Sequence, residues 1–265
     1  MSFNKIFDQL FQFEGKERLF PTGIKRLDQF LDGGFTPELV VVSGRYNHGK
    51  STFLHNLMLN FSYYQEFRGM LVSPHSSPKS LARRLLSILE DQEIEKLSEE
   101  VVLDRLSDIK SMLGSRVQVS HEATRLEDLL EKAKSWKADY LIIDDFFQLL
   151  EGNWFSQKFL VENLRMLQLF VKEEQVPVFI SLDAMSSAEK RYGEQIPRLI
   201  DVFKSDIVAT FANKIILTYR ANQVGITIGY DGGDTQNRID LSVVRNTSGR
   251  SGFVGLSYSD YGKIS

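Results

Sequence analysis

The 265-residue chain has no cysteine. Disulfides and thiolate metal sites are excluded, and the composition suits a reducing, cytoplasmic setting. Its 4 histidines are scattered, without the spacing of a zinc site. No apolar run approaches membrane-spanning length, so no membrane partner is expected. The segment Met1-Ser2-Phe3-Asn4-Lys5-Ile6-Phe7-Asp8 lacks a cationic stretch followed by an apolar core, so it does not read as a signal peptide. A surplus of one charge is missing too. With 32 Lys+Arg against 35 Asp+Glu the net charge is −3, so any nucleic-acid contact must come from a local patch or an assembled channel. There is no internal repeat, low-complexity tract or long linker. Hydrophobic content of 42% and charged content of 25% are ordinary for a soluble chain that buries a full core.

What is present begins with Gly44-Arg45-Tyr46-Asn47-His48-Gly49-Lys50-Ser51, a complete phosphate-binding loop of the G-x-x-x-x-G-K-[ST] type. The short β-branched run Leu39-Val40-Val41-Val42-Ser43 precedes it, and Thr52 through Leu59 follow with helical apolar spacing. That order matters chemically. The glycines let backbone N–H groups and a helix N-terminus converge on a phosphate, Lys50 reaches the β- and γ-phosphates, and the Ser51 hydroxyl ligates Mg²⁺. Residues 44–52 are therefore expected to bind ATP or ADP with Mg²⁺.

Strand-like and helical runs alternate along the chain, which implies an α/β fold with a mostly parallel sheet flanked by helices. Strands are expected at Leu39–Ser43, Gly69–Ser73, Val117–Ser120, Tyr140–Asp144, Val178–Leu182 and Lys214–Tyr219. Helices are expected at Ser51–Phe67, Lys79–Leu89, Leu126–Trp136 and Gln157–Gln175, with short acidic surface helices within residues 91–112. Antiparallel strands are expected at Ile226–Tyr230, Arg238–Val244 and Phe253–Tyr258, between turns at Asp231-Gly232-Gly233-Asp234 and Thr247-Ser248-Gly249. Residues 1–19 read as an arm carrying the apolar stripe Ile6, Phe7, Leu10, Phe11 and Phe13, and residues 20–265 as one nucleotide-binding domain. The arm packs either on its own domain or on a neighbouring subunit.

Tyr140-Leu141-Ile142-Ile143-Asp144-Asp145 is an apolar strand that delivers carboxylates at its end, as a Mg²⁺–nucleotide site requires. Asp145 is the expected metal ligand alongside Ser51. Together with Pro21-Thr22-Gly23-Ile24-Lys25-Arg26-Leu27-Asp28 and Asp145-Phe146-Phe147-Gln148-Leu149, the loop resembles the carboxyl-terminal motor domain of DnaB-type replicative DNA helicases. Leu81-Ala82-Arg83-Arg84-Leu85-Leu86-Ser87, Val176-Pro177-Val178-Phe179-Ile180, the run from Asp201 to Arg220, and Arg245-Asn246 resemble further segments of that family in order. The resemblance covers residues 20 to 265. It implies a RecA-type fold, self-association into a ring or filament, ATP between subunits with Arg245 acting in trans, and replication proteins and single-stranded DNA as partners.

The sequence departs from the family at three places. His75, in Ser73-Pro74-His75-Ser76-Ser77, stands where the family has its water-activating glutamate. Asp183, in Ser181-Leu182-Asp183-Ala184, stands for the γ-phosphate-sensing glutamine. Val243-Val244-Arg245 keeps the arginine of a Lys-x-Arg pair and loses the lysine. Each change argues against full helicase speed and leaves hydrolysis slow, moderate or lost. Asp144 is a second candidate base, although successive strand residues face opposite ways. The polar stretch Met185–Asp206 carries Lys190, Arg191, Arg198 and Lys204, the expected DNA-contacting cations, with Phe203 either stacking on a base or packing in the core. Three functions stay open: a DNA motor, an accessory or assembly protein that binds nucleotide without turning it over, and a small-molecule kinase.

Overall fold

Short apolar runs bounded by polar turns form a single eight-stranded sheet in the order β3-β2-β4-β5-β1-β6-β7-β8. The computed structural model describes residues 18–74, 77–93, 105–121 except 106, 108 and 112, 125–149, 156–187, 190–191, 196–229 and 231–265. His75 and the apolar stripe of the arm lie outside the described residues. The strands are β1 (Leu39–Gly44), β2 (Gly69–Val72), β3 (Val117–Ser120), β4 (Tyr140–Ile143), β5 (Val178–Asp183), β6 (Lys214–Tyr219), β7 (Arg238–Asn246) and β8 (Gly252–Ser257). From β3 to β6 the pairing is parallel, and β7 and β8 are antiparallel. The central strands are apolar at nearly every position because helices cover both faces.

Alternation along β1 sorts the core into two. Val40 and Val42 face one cluster, with α1 (Lys25–Phe30), α2 (Lys50–Leu59) and α3 (Pro78–Glu90). Leu39 and Val41 face the other, with α4 (Leu126–Trp136), α6 (Gln157–Glu174) and α7 (Ser205–Phe211). The short α5 (Phe146–Leu149) lies directly after β4. The chain leaves β1 through α2 toward β2 on one side, and leaves β5 toward β6 on the other. The phosphate loop thus sits at the switch point where an α/β sheet opens a crevice above its strand ends.

Helix α2 is buried from Thr52 through Leu59, so it is a core helix with no solvent face. It ends in a π-helical turn, Asn60–Tyr64, whose surroundings grip the incoming chain. Asn60 Nδ2 donates to Thr22 O at 2.5 Å, and Gln65 Nε2 donates to Pro21 O at 2.6 Å. Expectation and structure differ at Ile226–Tyr230. Ile228 makes only an isolated bridge to Asp234, and the excursion's amides bond within it, as in Gly229 N–H to Gly233 O at 2.8 Å. Ile228 is 67% exposed, so no buried face recruits this segment into the sheet.

Candidate nucleotide site

The loop after β1 turns by placing Asn47 and Gly49 at positive φ, 62° and 90°. A side chain at Gly49 would drive its Cβ to 2.7 Å from Ile239 Cδ1, and one at Gly44 would collide with Thr218 of β6. Gly44 thus allows close approach to the β6 backbone, Gly49 is favoured by its positive φ, and Tyr46 in the loop between them is 81% exposed. His48 points inward instead. It is buried, its ring stacks on Tyr219 with centroids 5.4 Å apart, and its Nδ1 accepts the Arg220 backbone N–H at 3.0 Å. Its side chain braces the loop against β6, so only its backbone is available to a phosphate.

Lys50 and Ser51 open α2 and line a cavity of about 480 Å³ together with Ser73, Arg84, Asp144, Asp145, Gln148, Ser181 and Asp183. β4 stops at Ile143, one residue earlier than expected. Asp145 then takes φ 66°, so the two acids are not successive strand residues and both line the same cavity. The alternation expected for a continuous strand is overridden by this turn. Ser181 of β5 sets the corner. Its Oγ donates to Asp144 Oδ1 at 2.8 Å and accepts the Asp145 N–H at 2.7 Å. Asp144 is buried and Asp145 half-buried. Lys50 Nζ donates to Gly44 O at 3.0 Å and Arg45 O at 3.3 Å, and pairs with Asp183 Oδ1 at 2.8 Å.

A second recess of about 340 Å³ adjoins the first across the loop, bordered by Asn47, Gly49, Thr52, Arg84, Arg220, Gln223 and Tyr258. The Arg220 guanidinium lies over the Tyr258 ring, 4.0 Å from its centroid. Tyr258 is held there because Asn56 of α2 binds the following tail, donating to Gly262 O at 2.8 Å and accepting the Ile264 N–H at 3.0 Å. Among the described residues no group of three or more His, Cys, Asp or Glu is placed to hold a metal by itself. A cation held by Ser51, Asp145, water and phosphate fits this donor set, which is the sparse protein ligation Mg²⁺ favours.

The DnaB-like helicase C-terminal domain family matches residues 20–263. The chain belongs to that family. The replicative DNA helicase DnaB of Geobacillus stearothermophilus is 23% identical over 97% of this chain and 58% of its own length. The chain thus spans a little over half of that relative. Among solved structures, a DnaB-like replicative helicase described with its primase interactions superposes with a TM-score of 0.78 at 18% identity, over 98% of this chain and 65% of that one. A solved ATPase domain gives 0.76 at 18% identity, over 98% of this chain and 95% of its own. The fold is that of RecA-like DnaB ATPase domains. Among the described residues no helix is long and apolar enough to cross a membrane.

Within this DnaB-type domain, Arg245 lies far from its own phosphate loop. Ile215 pairs with Val41 on one side and Arg245 on the other, so Arg245 is level with Val41 and two strands away. Gly44 begins three residues further up β1, about 10 Å along the sheet. Arg245 Nε donates to Ala212 O at 2.8 Å, just before β6 begins. A register shift between Ile215 and Ile216 also separates it from Val243. Val243 is 1% exposed in the core, so a lysine there would bury its ammonium rather than join Arg245.

The four cations of the Met185–Asp206 stretch are not equivalent. Arg191 is bound to Asp201, donating from Nη2 at 2.6 Å and Nη1 at 3.2 Å, and Ser187 Oγ and the Arg198 N–H donate to the same carboxylate. Burial alone pushes the Asp201 carboxyl up, but these hydrogen bonds outweigh it and hold the group below its ordinary range. Arg191 therefore builds the loop, while Lys190 and Arg198 are exposed and Lys204 half-buried. Phe203 packs edge-on against Phe147 with centroids 5.2 Å apart. Sequence reasoning missed Arg84, Ser181, Arg220 and Tyr258. Arg84 was visible within the family-like helix, whereas Ser181 acts through a corner that only the sheet register creates.

Proposed function

We propose that this domain is the ATP-driven motor part of a DnaB-type replicative helicase, binding ATP or ADP between adjacent copies in a ring or filament. The observation that carries the reading is the single cleft in which Lys50, Ser51, Asp144 and Asp145 converge. Lys50 and the loop amides hold the β- and γ-phosphates, Ser51 and Asp145 hold Mg²⁺, and the Arg220–Tyr258 pair takes the base. When bound, Mg²⁺ neutralises phosphate charge and orients the reacting oxygens. Arg84 lines both recesses and contributes a second cation from the same subunit. Arg245, out of reach of its own site, serves a neighbour's. Asp144, buried beside Asp145 and bound by Ser181, would orient water in place of the family's glutamate, whose position His75 takes in the sequence.

Lys190, Arg198 and Lys204 supply a modest basic patch per copy, which several copies would multiply along single-stranded DNA. Residues 1–18 hold adjacent copies together, and replication proteins are the expected partners. ATP turnover with and without single-stranded DNA tests the motor. We expect slow basal turnover, stimulated by DNA, and loss of both binding and turnover in Lys50→Ala. Turnover indifferent to DNA, or nucleotide affinity unchanged in Lys50→Ala, would overturn the reading.

A further inference from the structure

We propose that Asp183 makes this site selective for metal-loaded nucleotide, because its carboxylate occupies the solvent-facing valence of Lys50 that a phosphate needs. The inference rests on the nucleotide reading above and deepens it.

Three ammonium hydrogens are all that a lysine has to donate. Lys50 directs them at Gly44 O (3.0 Å), Arg45 O (3.3 Å) and Asp183 Oδ1 (2.8 Å). The two carbonyls belong to the loop itself and fix the ammonium from beneath. Asp183 is different. Its side chain is 75% exposed against 13% for Lys50, so it caps the ammonium on the open side, from which a ligand must arrive. Asp183 cannot move far away. It is the last residue of β5 and sits opposite Gly44 in the parallel register. The next residue is bound on both sides, with the Ala184 N–H donating to Gly44 O at 3.0 Å and Arg45 Nη1 donating to Ala184 O at 2.8 Å. The carboxylate can rotate off Lys50, but its backbone keeps it at the rim of the cleft.

A phosphate that replaces Asp183 on Lys50 therefore remains a few ångströms from the displaced carboxylate. Two anions at that spacing repel. A divalent cation bound to the phosphates reverses the sign, since it presents positive charge to Asp183 and to Asp145 together. A neutral amide at this position would hold Lys50 less tightly and place no negative charge beside the phosphate, making the cation less necessary. The bare phosphate tail is thus penalised and the metal complex is not.

The test is the ratio of ATP dissociation constants measured in EDTA and in Mg²⁺, for wild type, Asp183→Asn and Asp183→Glu, with Lys50→Ala as control. Asp183→Asn should lower the ratio about tenfold, chiefly by tightening metal-free binding. Asp183→Glu keeps the charge and should keep the ratio. Asp183→Asn with an unchanged ratio, or Asp183→Glu falling as far as Asp183→Asn, would overturn the inference. A general disturbance of the loop moves both constants equally and so counts against it. Should neither wild type nor Asp183→Asn bind ATP more tightly than Lys50→Ala under any condition, the nucleotide reading itself has failed, which is a separable result.

Discussion

His55 lies one helical turn beyond Ser51 on α2, fully buried, and neither ring nitrogen meets a hydrogen-bond partner among the described residues. Burial lowers its pKa from 6.5 to about 4, with Asp144 opposing the shift and Arg84 adding to it. The folded state holds this imidazole neutral where the unfolded chain protonates it. Stability should therefore fall as pH drops from 6.5 toward 4 and level off below, by on the order of 3 kcal/mol over the window. Urea midpoints for wild type and His55→Leu across that range check this. The variant should be at least as stable at pH 7, because two unsatisfied nitrogens are removed, and its slope should be flatter. Equal slopes would mean another group dominates. The His55 environment was hidden in sequence, where a lone histidine on a helix carries no sign of burial on every side.

Asp201 shows the same hiddenness at the scale of an element. In sequence it is one of several acids that dilute a basic stretch. In the fold it is 1% exposed and is bound by Ser187, Arg191 and the Arg198 N–H, so it does not cancel the surface cations. Arg191→Ala leaves that carboxylate without its guanidinium, a loss of about 3 kcal/mol for a buried pair, taken mostly by the loop. Limited proteolysis should then cut within residues 185–204 while nucleotide affinity is unchanged. Lys190→Ala should leave the loop intact and reduce the salt dependence of DNA binding by about one unit of slope. A protease-resistant loop in Arg191→Ala would contradict the assignment. Strands β1 to β6 were legible because apolar runs between loops have one reading in a parallel sheet. The end of β4, the Ile228 bridge and the β7 register shift were not, since each depends on a contact made across the sheet rather than along the chain.

At the scale of the molecule, Arg245 lies two strands from β1 and three residues below the phosphate loop, so the proposed site that uses both would need two copies. Lys50→Ala and Arg245→Ala should each be inactive as pure proteins. Mixed in equal amounts they should regain a measurable fraction of wild-type turnover, because some interfaces then pair an intact Lys50 with an intact Arg245. An arginine finger is worth roughly 10³–10⁵ in rate, so even a small recovery stands out. No recovery, with assembly verified by light scattering, would place Arg245 outside the reaction. The family and the nucleotide loop were legible from motifs in order; the separation of the two half-sites became visible only through the register that sets Arg245 level with Val41.

The burial of α2 on all sides has a mechanical consequence. A helix with no free face can neither roll nor slide without opening both sheet and core, so it behaves as a strut. One end of that strut is the phosphate loop. At the other, Asn60 and Gln65 clasp Thr22 and Pro21. A displacement imposed at the loop would therefore reach Pro21 and Thr22 as movement of the whole helix, with little lost to bending in between.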